Sequence, residues 1–249
     1  MFYIISAVST FFIALLAGSM GIGGGFLFTP VFTWLGLDYK ISVIPMALLL
    51  NLVITLTAQR AYLRENLTDT KLALIMSGIA IFFAQLGAYI NHQLPAKTLM
   101  MIFSIFLIFV AIDMLFICKP TPTNFEYKTK VGLPIALIAG ALAGTLSGLL
   151  GLGGGFIIMP MLLLVGYHPK KAAATSSLVV FFSSASGLLA HLDTQNIDLR
   201  LALICIVFVI LGAKAGAYFM VEKCSPTMVR KYFGILLVFI SIKIFFDVF

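Results

Sequence analysis

One ten-residue stretch occurs twice in this chain: Gly21-Ile22-Gly23-Gly24-Gly25-Phe26-Leu27-Phe28-Thr29-Pro30 and Gly151-Leu152-Gly153-Gly154-Gly155-Phe156-Ile157-Ile158-Met159-Pro160. The offset of 130 in a chain of 249 residues marks a duplication, with repeats at 1–118 and 131–249 joined by a linker at 119–130. Each copy breaks an apolar run with clustered glycines and then enters a short apolar segment closed by Gly36 or Gly166. Glycine loses more conformational entropy on ordering than any other residue and leaves its backbone groups bare. Non-helical backbone at membrane depth persists only where it is buried in protein or lines a cavity. Broken segments at matching positions of two halves point to the binding site of a membrane carrier.

The rest of the chain supports the membrane setting. Hydrophobic residues make up 61% and charged residues 10%, against about a quarter charged in soluble domains. No Lys or Arg occurs in residues 1–20, so that stretch reads as a retained first helix and not as a signal peptide with a basic start. The net charge of +7 is scattered among short loops, which suits positive loops beside membrane helices and gives no nucleic-acid partner. Cys118, Cys205 and Cys224 lack CxxC spacing, and His92, His168 and His191 are isolated in sequence, so no metal or cofactor is expected. There is no Walker-type loop, no Rossmann context for the glycines and no paired intramembrane carboxylate. The chain does not read as an enzyme.

Apolar runs between charged or Pro/Gly punctuation predict five helical segments per half: 2–20, 25–36, 41–58, 72–90 and 98–117, then 133–150, 155–166, 172–190, 201–221 and 228–246. This is an all-α polytopic membrane protein. Most segments have the roughly 20 residues that cross the hydrocarbon core, but the second of each half reaches only about 18 Å. Loop charge decides whether it crosses. If it does, the loop cations divide eleven to four, with Lys40, Lys97, Arg200 and Lys243 on the sparser side; if it does not, they divide eight to seven. The positive-inside rule favours crossing, ten segments and both termini outside. Five segments per half also make the repeats inverted, so the glycine breaks enter from opposite faces.

Gly23, Gly24 and Gly25, with Gly153, Gly154 and Gly155, place backbone N–H groups at the starts of the short helices. About half a positive charge and several open donors there attract an anion; close packing through small residues is the alternative. Pro30 and Pro160 are expected to kink or end those helices. Thr175, Ser176 and Ser177, and further on Ser183, Ser184 and Ser186, either line a polar cavity or bond to helices, the first triplet being the better candidate. The first half has Pro45-Met46-Ala47 at the matching positions, and its polar residues come later, at Asn51, Thr55 and Thr57. Asn51 is either a helix–helix hydrogen bond or a substrate contact. Lys214, matched by Gln85 in the first half, either snorkels to the membrane surface or supplies a counter-charge to substrate. Gly212 and Gly216 suit helix packing. Asp38, Asp69, Asp193 and Asp198 read as caps. His191, beside Asp193, reads as a solvated loop histidine, with a pH-reporting role as the alternative.

The doubled GxGGGxxxxP motif, the short segment and glycine after each copy, and Ala174-Thr175-Ser176-Ser177 resemble the TauE/SafE sulfite exporter family, also called the toluene sulfonate uptake permease family. The resemblance covers nearly the whole chain. It implies a secondary transporter that moves a small sulfur-containing anion (sulfite, thiosulfate or an organosulfonate) across the cytoplasmic membrane by alternating access, in uptake or export. By that resemblance Gly21, Gly23, Gly24, Gly25, Pro30, Gly151, Gly153, Gly154, Gly155 and Pro160 are the motif positions, and Thr175, Ser176 and Ser177 its hydroxyl patch. Pro45-Met46-Ala47 departs from the pattern and argues against a symmetric site. Related thiosulfate transporters use cysteines along their path; none of the three here lies in a motif, so that mechanism is not carried over. The residues alone leave a passive anion channel and a membrane scaffold open, and suit a coupling ion, a lipid surround and any oligomeric state.

Overall fold

A computed structural model describes residues 2–112, 129–192 and 196–222, with residues 238 and 242. Among the described residues all regular structure is helical: α1 Phe2–Met20, α2 Gly25–Trp34, α3 Ile44–Arg64 preceded by a π-helical turn at Tyr39–Val43, α4 Thr70–Gln93, α5 Ala96–Ile112, α6 Thr129–Leu150, α7 Gly155–Leu164, α8 Pro169–Ala190 and α9 Leu199–Glu222. Six of these stretches are long and apolar enough to cross a membrane. The expected segment 228–246, residues 119–128 of the linker, Asp193, Cys118 and Cys224 lie outside the described residues.

Local chemistry sets the boundaries. Three of the expected aspartate caps are in place: Asp38 accepts from the N–H groups of Lys40 and Ile41, Asp69 from Leu72, and Asp198 from Arg200 and Leu201. The short helices α2 and α7 end in the same motif. Gly36 and Gly166 take φ of 87° and 97°, and the following residue returns its N–H five places, Leu37 to Phe32 and Tyr167 to Leu162. Pro30 and Pro160 therefore do not end these helices; each sits inside one, which continues past it to Trp34 or Leu164. The proline needs no N–H partner one turn back, and the glycine cap supplies the stop. At ten residues each, α2 and α7 are about 15 Å long, half the hydrocarbon core of about 30 Å.

Two close-packed helix pairs frame them. Along α6, Gly140, Gly144 and Gly148 lie against the carbonyls of Met76, Ala80 and Ala84 of α4, while Gly87 of α4 lies against that of Thr145. The matching pair is α1 with α9: Gly212 and Gly216 lie against Phe11 and Leu15, and Gly18 against Ala213. Every fourth position is small, so backbones meet with no side chain between them. Contact order gives directions. In both pairs residue numbers rise together, so the helices run parallel. Between α3 and α8 they oppose, Leu48 meeting Gly187 and Asn51 meeting Ser184. Between α4 and α8 they rise together, from Asp69 with Thr175 to Gln85 with Ser186.

The α4–α6 seam gives a test. Gly148→Ala drives a methyl into the Ala84 carbonyl and is expected to destabilise by about 1–3 kcal/mol. Gly78→Ala, with nothing within 4 Å, is expected to leave stability unchanged or raise it by up to about 1 kcal/mol. Thermal unfolding of the detergent-purified variants checks both.

Candidate functional site

The starts of α2 and α7 meet in the protein interior, backbone against backbone. A Cβ on Gly25 would lie 2.5 Å from the Gly151 carbonyl oxygen, and one on Gly155 would overlap that of Ile22. Residues 21–30 and 151–156 are all buried. Phe26 and Phe156, the first side chains beyond the breaks, pack edge to face with centroids 6.0 Å apart. Gly21 is seated against Ala173 of α8 and Gly151 against Ile44 of α3, so the two breaks reach this crossing from different neighbours.

Asn51 of α3 is clasped between them. Its Oδ1 accepts from the Gly24 N–H at 2.7 Å, and its Nδ2 donates to Ser184 Oγ at 2.9 Å. A Cβ on either Gly23 or Gly153 would overlap this carboxamide. From α8, Ser176 Oγ donates to the Gly21 carbonyl and Ser183 Oγ to that of Gly153, each at 2.8 Å. Seven residues, about two turns or 10 Å, separate the two serines on one helix face. One helix thus stitches both breaks. Other donors at the crossing stay open: the N–H groups of Gly25, Gly155 and Phe156 make no hydrogen bond among the described residues. The copies are not equivalent. Gly24 has φ −104°, Gly154 +81°, and the residue matching Asn51 in the second half is Phe181, which cannot hold a backbone N–H.

The expected site residues separate into groups. The six glycines, Asn51 and Ser176 converge at the crossing. Thr175, in the first half of α8, turns instead to the start of α4, where its Oγ1 accepts from the Asp69 N–H at 3.0 Å; Tyr167 donates to Asp69 Oδ2 at 2.7 Å. Ser177 is buried, and its hydroxyl has no partner among the described residues. Ser183 and Ser184, ranked below Thr175 from sequence, touch the crossing along with Ser176. Their signal was the helical spacing from Ser176. Gln85 donates to the Ser186 carbonyl at 2.9 Å and to its Oγ at 3.0 Å, away from the glycines. Lys214 is exposed on α9 and lines a different cavity, with Arg60 and Arg64.

His191 is not a solvated loop residue. It is 1% exposed, and its Nε2 donates to the Gly148 carbonyl at 2.8 Å. The His92 ring lies 5.2 Å away, so two histidines isolated in sequence meet in space. Lys40 Nζ donates to the carbonyls of Leu94 at 3.0 Å and His92 at 3.4 Å. Burial lowers the pKa of His191, the Gly148 hydrogen bond opposes this, and the charges of His92 and Lys40 add to the lowering. His168 caps α8, its Nδ1 accepting from Lys170 N–H at 3.4 Å. Beside Lys40 in the chain, Ile41 accepts the Asn196 N–H at 2.7 Å and the Ser42 Oγ donates to the Asn196 carbonyl at 2.8 Å. Among the described residues no cluster of His, Cys, Asp and Glu suits a metal ion.

The model of the sulfite exporter TauE/SafE family matches residues 6–244 of the chain. A probable membrane transporter protein of Methanocaldococcus jannaschii is 26% identical over 237 residues, covering 88% of this chain and 86% of its own length. YunE of Bacillus subtilis, also a probable membrane transporter protein, is 25% identical over 271 residues, covering 94% of this chain and 96% of its own. No solved structure matches the chain.

Two outcomes are expected from this geometry. Asn51→Ala strands the Gly24 N–H and the Ser184 hydroxyl and should cost about 1–3 kcal/mol in thermal unfolding. His191, neutral when folded, regains an ordinary pKa near 6.5 when unfolded, so below that pH the unfolded chain takes up the extra proton. The unfolding temperature should hold above pH 7 and fall below about pH 6.5, and His191→Gln should flatten that fall.

Proposed function

The chain is a membrane transporter of the TauE/SafE sulfite exporter family, and on that footing we propose that it carries a small sulfur-containing anion across the cytoplasmic membrane by alternating access. The observation that carries this reading is the meeting of two helix N-termini with open N–H groups at Gly25, Gly155 and Phe156. A helix start presents about half a positive charge together with unpaired donors. Two of them facing one point attract an oxyanion without a buried arginine. Gly23, Gly24, Gly25, Gly153, Gly154 and Gly155 supply donors and close approach. Asn51 supplies an amide that holds the Gly24 N–H and can turn its own NH₂ to an incoming oxygen. Ser176 and Ser177, the latter with no hydroxyl partner among the described residues, would line the α8 side.

Opposed residue order between α3 and α8, with matched order between α4 and α8, supports short helices that cross the membrane and repeats of inverted sense. The cross-half contacts near the helix ends include Tyr167 with Asp69, and Asn196 with Ile41 and Ser42. In a carrier that rocks one half against the other, these contacts would release in turn, opening the crossing to each side.

Unfolding of the purified protein against sulfite, thiosulfate, sulfate, toluene sulfonate and chloride tests the reading. A ligand at a hundred times its dissociation constant should add about 2.7 kcal/mol. Asn51→Asp provides the sharper comparison. Its carboxylate sets a resident negative charge against the same N–H groups, so this variant should be at least as stable as the parent without ligand, and should show no anion response. A destabilised Asn51→Asp, or one that keeps the response, would sink the site. Gly24→Ala meets only the side-chain tips of Ile54 and Phe28 and should fold with a weakened response. Gly154→Ala, at φ +81° and against the Ala143 backbone, should fail to fold.

A further inference from the structure

A cavity of about 770 Å³ lies between α3 and α9, well away from the glycine crossing in its lining residues. Its lining is graded along the helices. Val53, Leu56, Ile206 and Ile210 form one end; Arg60, Arg64 and Lys214 line the other, with Glu65 as the single carboxylate. The three cations share one depth. Gly18 accepts from the Tyr62 hydroxyl and packs against Ala213, so the stretch of α3 around Tyr62 lies beside the stretch of α9 that carries Lys214. Arg60 and Arg64 are four residues apart and so share a helix face. The side chains of Arg60, Arg64, Glu65 and Lys214 make no ion pair or hydrogen bond among the described residues, which leaves two net positive charges in the cavity.

We propose that this groove is a binding site for an acidic phospholipid, its phosphate held by Arg60, Arg64 and Lys214 and its chains along Val53, Leu56, Ile206 and Ile210. Charge, shape and access agree. Basic pockets between membrane helices recruit anionic headgroups, each Lys or Arg near the surface contributing roughly fivefold in binding. The cavity is many times the size of a small inorganic oxyanion, and its apolar end has nothing to offer one. Lys214 lies on the outward stripe of α9 with Leu203, Val207 and Leu211, which are 57%, 56% and 53% exposed, so the groove opens sideways to lipid. The long lysine stem lies along apolar surface with its charge at the polar end.

Native mass spectrometry in mild detergent tests this, with equal amounts of phosphatidylglycerol and phosphatidylethanolamine added to the full chain. The protein should retain phosphatidylglycerol selectively. Lys214→Gln, which lies on the exposed stripe and leaves the packing intact, should weaken this by about fivefold, and the Arg60→Gln/Arg64→Gln/Lys214→Gln variant by well over tenfold. Leu56→Trp, which narrows the apolar end with the charges intact, should lower retention as well. Unchanged selectivity in Lys214→Gln and in Leu56→Trp would overturn the proposal. So would displacement of the lipid by sulfite or toluene sulfonate in the parent protein, which would give the groove to a free anion. Neither result depends on the anion response at the glycine crossing.

Discussion

The fold depends on satisfying backbone that has been unwound in the middle of an apolar protein. An N–H or carbonyl left bare at that depth costs several kcal/mol, and two breaks double the demand. Asn51 answers part of it, accepting from Gly24 and donating to Ser184. Ser176 and Ser183 take the carbonyls of Gly21 and Gly153. The glycines follow from the same requirement. A side chain at position 23 or 153 would occupy the space of the Asn51 carboxamide, and one at 25 or 155 would strike the opposite loop. Small residues along α1, α4, α6 and α9 then allow helices to pack closely enough to hold the crossing.

The two copies of the glycine motif sit in a frame of matching contacts but have different linings. Gly87 against Thr145 and Gly216 against Leu15 are the same contact made once by each half. At the crossing the halves part company. Asn51 is matched by Phe181, Ser176 by Met46 and Ser183 by Val53. Helix α3 therefore contributes one amide and α8 a line of hydroxyls. The glycine backbone differs accordingly, right-handed at Gly24, where Asn51 fixes the N–H, and left-handed at Gly154. At the proposed site a ligand would meet different chemistry on the two sides, although a short helix from each half starts there.

Polar groups elsewhere divide by depth and exposure. His191 and His92 meet where the ends of α4, α6 and α8 come together, and burial lowers the pKa of His191. Arg60, Arg64 and Lys214 line a wide groove. Both groups sit apart from the glycines, so the crossing itself contains no formal charge among its named partners. Partial charges of backbone and amide are what it offers to the proposed anion.

Much of this was written in the sequence because it depends on neighbours a few residues apart. The apolar run 2–20 coincides with α1, and the glycine cluster, the short helices and their closing glycines follow from local backbone needs. Three aspartate caps are equally local. The membrane class follows from composition, since so few charges leave no soluble alternative. What the sequence could not decide is which buried polar group meets which. Ser183 and Ser184 outrank Thr175 at the crossing because of how α8 is rotated against α2, α3 and α7, and no local pattern sets that rotation. His191 is buried because the end of α6 covers it. Arg60, Arg64 and Lys214, some 150 residues apart, share a cavity because Gly18 brings α3 and α9 together. Periodicity fixes a helix and its ends; only close packing between helices fixes the partners of its side chains.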